Sequence, residues 1–124
     1  MAKILVIEDN SANMRLATFL LQSAGHTVLC GIDAEAGLAL ARSEHPDLIL
    51  MDIQLPGMDG LEATGLLKRD DATRAIPVIA LTALVMKGDE ERIRAAGCDG
   101  YIAKPLAYKD FLTVISAQLA TDLL

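Results

Sequence analysis

Five short runs rich in Ile, Val and Leu punctuate the chain at fairly even intervals: KILVI from Lys3, HTVLC from His26, DLILM from Asp47, PVIAL from Pro77 and GYIA from Gly100. The first, third and fourth are nearly unbroken rather than alternating, the pattern of strands covered on both faces. Segments of helical length and period lie between them. From Ser11 to Ala24, the residues Met14, Ala17, Leu21 and Ala24 share one stripe with Leu20 beside it, and Gly25 follows where a C-terminal cap belongs. Asp33 is placed to cap a second helix that runs to about Glu44 and is stopped by His45-Pro46. A third helix is predicted from near Gly60 to Lys68, a fourth from about Lys87 to Ala96 closed by Gly97, and a fifth from Ala107 to about Leu119. Strand and helix thus alternate five times, which predicts an α/β fold: a parallel five-stranded sheet with right-handed crossovers and helices on both faces.

No repeat, low-complexity stretch or linker interrupts this order, and 124 residues suit one domain with a real core. Residues 1–124 are therefore expected to form a single domain, with no output domain after the last helix. The chain is 52% hydrophobic with a mean hydropathy of +0.37, but only 3% aromatic, so the core must be aliphatic. A formal charge of -6 and a pI near 4.7 argue against direct nucleic-acid binding, which needs clustered Lys and Arg, and favour binding a cation. The first apolar run is cut short by Glu8 and Asp9 and cannot serve as a signal peptide. No apolar stretch approaches the roughly 20 residues that span a bilayer, so no membrane association and a cytoplasmic location are expected. In that compartment Cys30 and Cys98 are expected to be reduced, buried, small apolar fillers.

Functional groups in open α/β sheets gather beyond the carboxyl ends of the strands, where the strand order reverses. If the strand order is 2-1-3-4-5, Glu8 and Asp9 after the first strand lie next to Asp52 after the third, while Thr82 follows the fourth and Lys104 the fifth. Three carboxylates in one place repel one another and raise each other's pKa unless positive charge intervenes. Lys104 supplies one such charge, and a hard divalent cation with oxygen ligands would supply the remainder, so the cluster reads as an incomplete magnesium site. A carboxylate beside a metal and an ammonium can also act as a nucleophile toward a phosphoryl group. Asp52 is the best candidate, since it stands alone at its strand end before the loop IQLPGMDG, with Lys104 and Thr82 on flanking strands as donors to phosphate oxygens.

These residues resemble the receiver domain of two-component response regulators over the whole length from Lys3 to about Leu119. The acidic pair Glu8-Asp9, the acceptor in MDIQLPGMDG, Thr82 followed by the small Ala83, and Lys104 in YIAKP stand in the family's order and spacing. The resemblance implies the flavodoxin-like receiver fold with strand order 2-1-3-4-5. It implies that Asp52 accepts a phosphoryl group from a phosphohistidine on a sensor histidine kinase or histidine phosphotransfer protein. Mg2+ would be bound by Asp9, Asp52 and the backbone carbonyl of Gln54, and by Glu8 through water. Lys104 would pair with the phosphoryl oxygens, Thr82 would move toward them, and Tyr101 would be the switch aromatic that turns inward when Thr82 moves. The Lys104-Pro105 bond would be cis. Glu8 departs mildly from the commoner Asp. Within the family the segment TALVMKGDEERIRAAGCDGYIAKP is similar to single-domain receivers of the cell-division-control kind and to receivers attached to hybrid kinases.

The resemblance further implies a downstream protein target that docks on the fourth helix, fifth strand and fifth helix, roughly Lys87 to Leu119, with phosphorylation-dependent homodimerisation left open. Kinase docking would use residues near Asn13 to Ala17 and Leu106. Leu84 and Gln54 hold the positions that tune water's access to the acyl phosphate, and the bulk of Leu84 is expected to slow hydrolysis. Three other readings compete. A haloacid-dehalogenase phosphatase needs a second Asp two residues after the nucleophile, where this chain has Gln54. A flavodoxin needs a Ser/Thr/Gly-rich phosphate cradle after the first strand, where EDNSAN offers acids. A receiver-like interaction module that is never phosphorylated keeps every site residue unused. Asp59 and Asp70-Asp71 read as solvated charge, and Glu90 with Arg94 as a surface ion pair. His26 and His45 read as structural. Met51 should fill core, while Met58 and Met86 should be exposed, adaptable binding residues.

Overall fold

The computed structural model describes residues 2–83, 88–104, 106 and 108–122. Expectations that rest on Leu84, Met86, Lys87, Pro105 and Ala107, the cis peptide among them, lie outside those residues. Five strands, β1 (Lys3–Ile7), β2 (Thr27–Gly31), β3 (Leu48–Asp52), β4 (Val78–Thr82) and β5 (Gly100–Ala103), form one parallel sheet in the order β2-β1-β3-β4-β5. Between and after them run α1 (Ser11–Ser23), α2 (Ala34–Glu44), α3 (Gly60–Arg69), α4 (Asp89–Ala95) and α5 (Tyr108–Asp122). The predicted alternation is therefore observed, and α5 outlasts its predicted end at Leu119 by a turn.

Strand alternation divides the core into two layers. Odd positions of β1 and β3 (Leu5, Ile7, Ile49, Met51) join Val78 and Ala80 of β4 against Ala34, Leu38 and Ala41 of α2, Ala63 and Leu67 of α3, and Ile93 of α4. Even positions (Ile4, Val6, Leu48, Leu50) join Ile79, Leu81 and Ile102 against Ala17, Leu20 and Leu21 of α1 and Phe111 and Ile115 of α5. β3 and β4 are buried at every residue, as their unbroken apolar runs predict.

The helix boundaries have local causes. Asn10 caps α1 by accepting from the Asn13 N–H at 2.9 Å, and Asp33 caps α2 by accepting from Ala36 at 2.8 Å. Gly25 at φ 91° and Gly97 at φ 110° follow α1 and α4 in the left-handed conformation that lets the chain turn back. Ala24, placed on the buried stripe by periodicity, is instead the exposed C-cap residue, because α1 ends one residue earlier. Asp59 is more than solvated charge: it caps α3, accepting from the Glu62 N–H at 2.9 Å. Asp59→Ala is expected to cost about 1 kcal/mol in urea denaturation while leaving the acid cluster intact, so a loss of Mg2+ binding by the variant would show a larger duty. Asp70 and Asp71 pair with Arg42 and Arg74, and Glu90 pairs with Arg94 at 3.4 Å as predicted.

Two expectations about single residues are corrected. Cys98 is buried, but Cys30 is exposed, because β2 is an edge strand and this side chain lies at its rim, 3.8 Å from the Thr18 hydroxyl of α1. Met58 is half-buried and packs against the layer of α2, α3 and α4 rather than standing free, while Met51 fills the core as expected.

Candidate functional site at the carboxyl edge of the sheet

The same alternation that sorts the core also builds the site. Ile7 of β1 is in register with Met51 of β3, so the next residues, Glu8 and Asp52, leave their strands side by side. Both continue the even-numbered face of their strands, and Lys104 continues it after Ile102 of β5. Thr82 instead continues the odd layer's face after Val78 and Ala80, the face on which Tyr101 packs half-buried. The two candidate switch residues thus share one side of the sheet, and the Glu8 and Asp52 carboxylates share the other with the Lys104 ammonium.

Lys104 Nζ lies 2.9 Å from Glu8 Oε1 and 3.2 Å from Asp52 Oδ1. The Lys104 backbone N–H donates to the Thr82 carbonyl at 2.8 Å, tying the two strand ends together. Asp52 Oδ1 also accepts from the Gln54 N–H at 3.0 Å, which folds the following loop back over the carboxylate. Glu8 Oε2 accepts from the Asn10 N–H at 3.3 Å. Carboxylate oxygens of Glu8, Asp9 and Asp52 lie within 4.8 Å of one another, with Glu8 and Asp52 buried and Asp9 exposed. Sequence reasoning brought together Glu8, Asp9, Asp52 and Lys104, and the structure assembles them. Gln54 stands at the site through its backbone, with its side chain exposed.

Electrostatics follow from this crowding. Burial is the largest influence on Glu8 and, with the neighbouring Asp52 carboxylate, pushes its pKa up to about 7 against the pull of Lys104. Burial also opposes ionisation of Asp52, yet its pKa is lowered because Glu8, the Gln54 N–H and Lys104 all favour the anion. Burial works to lower the Lys104 pKa, and its two carboxylate partners outweigh that and raise it. The arrangement is one buried anion, one reluctant acid and one held cation.

Among the described residues, three carboxylates face a single ammonium, and Glu8 Oε1 accepts no well-directed hydrogen bond although Lys104 is close. This uncompensated negative charge, with oxygen donors from two strand ends, fits a hard divalent cation such as Mg2+.

Sequence reasoning missed Gly60, the first residue of α3. A Cβ there would fall 2.6 Å from Ile53 Cα and 2.8 Å from the Asp52 carbonyl carbon. The helix start thus presses against the strand end that carries Asp52, and the signal for it was the second glycine of the PGMDG loop.

Residues 4–116 match the family model described as the response regulator receiver domain. The chain belongs to this family, whose members are signalling switches rather than turnover enzymes. The polar-differentiation response regulator DivK of Brucella ovis is 49% identical over 116 residues, covering 94% of both chains. The receiver domain of a sensor histidine kinase from Pseudomonas aeruginosa PAO1, solved with a magnesium ion coordinated in its active-site cleft, is 33% identical with a TM-score of 0.89 over 96% of this chain and 98% of that one. The chemotaxis protein CheY4 of Vibrio cholerae is 26% identical with a TM-score of 0.89 over 94% of this chain and 98% of its own. Fold, family and phosphorylation-dependent signalling as the broad function are thereby established, and no helix among the described residues is long and apolar enough to cross a membrane.

Proposed function

We propose that Asp52 is the phosphoryl acceptor of a two-component or phosphorelay pathway. The observation that carries this reading is the Asp52 carboxylate: buried, favoured as an anion, 3.2 Å from Lys104 Nζ and hydrogen-bonded to the Gln54 N–H. An Asp52 oxygen attacks phosphorus as the P–N bond of a donor phosphohistidine breaks, the imidazole keeps the bond's electron pair, and an acyl phosphate forms on Asp52. Lys104 is placed to neutralise phosphoryl oxygens. Asp9, Asp52 and the Gln54 carbonyl would hold Mg2+, with Glu8 reaching it through water. The ion, when bound, supplies Lewis-acid neutralisation of the transferring group.

The phosphoryl group then favours the arrangement in which Thr82 has moved toward it and Tyr101 has turned inward, and partners read the resulting surface. A downstream protein would dock on α4, β5 and α5. An open cavity of about 370 Å³ on that face, lined by Ile79, Arg94, Gly100, Tyr101, Val114 and Gln118, supports this assignment. On α1, docking of the kinase or phosphotransfer partner would fall to Asn13 and Leu16, since Ala17 is buried in the core, together with half-buried Leu106. Cytoplasmic residence completes the proposal.

The test is to incubate the protein with Mg2+ and a small acyl phosphate and weigh it intact. One added phosphoryl group that requires Mg2+ is expected. No adduct with any donor would favour a passive interaction module, and steady turnover of a phosphate ester would favour a phosphatase.

A further inference from the structure

Both oxygens of the Glu8 carboxylate face inward, one in a hydrogen bond and the other in an ion pair without good hydrogen-bond direction. Oε2 takes the Asn10 N–H at 3.3 Å, and Oε1 stands 2.9 Å from Lys104 Nζ, closer than the 3.2 Å between that nitrogen and Asp52 Oδ1. The residue is only 1% exposed, so water offers it little alternative. Its length makes the contact. An aspartate at this position would end one carbon–carbon bond, about 1.5 Å, short, and would leave the lysine to Asp52.

We propose that Glu8 is a latch on Lys104: it holds the ammonium in the metal-free protein and must release it to join a divalent cation beside Asp9 and Asp52. The proposal rests on the magnesium reading above. A carboxylate shared between an ammonium and a dication at close range would force two cations together, so engaging one loosens the other. Metal binding and liberation of Lys104 then become one event. The ammonium that is to meet phosphoryl oxygens is freed only when the cation is in place, and Glu8 acts as a positioning residue through Lys104.

A double-mutant cycle on Mg2+ affinity tests this. Calorimetric titrations with Mg2+ alone at pH 8.5, repeated in buffers of different ionisation enthalpy so that any proton release is read separately, would compare the wild type, Glu8→Asp, Lys104→Met and the double variant. Lys104→Met is expected to tighten Mg2+ binding in both backgrounds, with a gain about fivefold larger when Glu8 is present than when aspartate replaces it. Equal gains overturn the latch and leave the magnesium reading standing. Absence of Mg2+ binding in all four proteins overturns both. A second readout avoids removing the lysine: acetylation of Lys104, followed by peptide mass spectrometry without Mg2+, should be several times slower in the wild type than in Glu8→Asp. Equal rates also overturn the proposal.

Discussion

Asp52→Asn is expected to abolish phosphoryl uptake, because an amide lacks the nucleophilic anion and no other acid at the rim has the Lys104 and Gln54 contacts that Asp52 has. Intact mass after incubation with Mg2+ and an acyl phosphate should show no adduct, a loss of at least about a thousandfold in rate if removing the nucleophile here costs what it does elsewhere. An adduct of unchanged yield would move the acceptor to another residue.

The same substitution should change how stability depends on pH. In the wild type Glu8 keeps its proton up to about pH 7, against 4.5 when unfolded. The native state therefore binds more protons than the unfolded chain in that interval. The stability this contributes is complete below pH 4.5 and is lost as pH rises through about 7. Without the Asp52 charge Glu8 should ionise earlier. The stability of Asp52→Asn relative to wild type should then climb between pH 5 and pH 8, by about 1 kcal/mol, since burial, the largest cause of the shift, persists in the variant. Urea denaturation in metal-free buffer measures it, and parallel curves for the two proteins would disprove the coupling.

Gly60→Ala is expected to destabilise the fold by about 3 kcal/mol, in the range of overpacked cores. Helix propensity alone argues the other way, since alanine is favoured over glycine in helices by at most about 1 kcal/mol. Sterics win because the added methyl meets backbone atoms of Asp52 and Ile53, which cannot swing aside as a side-chain tip can. Any relief must come from shifting α3 away from the end of β3, which displaces Asp52. Weaker Mg2+ binding should accompany the lost stability. A variant as stable as wild type would show that α3 yields freely and does not fix the acceptor.

Much of this protein was legible in its residues. Strand and helix positions followed from apolar runs bounded by Gly, Pro and capping acids, because hydrophobic period and backbone punctuation act locally. Glu8, Asp9, Asp52, Thr82 and Lys104 were legible as a site because parallel α/β topology delivers every strand's carboxyl end to one rim. Other features depend on what lies across space. Cys30 sits in an apolar run yet is exposed, because its strand is at the sheet's edge. Asp59 is an ordinary loop acid in sequence and a helix cap in the fold. Gly60 shows in the sequence only as the second glycine of its loop, and the meeting of α3 with β3 gives its missing side chain a reason.

The amino-acid order by itself determined which residues reach the rim, since chain alternation and strand polarity need no knowledge of neighbours. The tertiary structure alone decided which of them touch: register set Glu8 beside Asp52, the alternation of β4 turned Thr82 to the opposite face, and the length of Glu8 carried it onto Lys104. Contacts of a few ångströms between residues nearly a hundred positions apart arise from packing two helix layers on a twisted sheet, and local sequence carries no term for that distance.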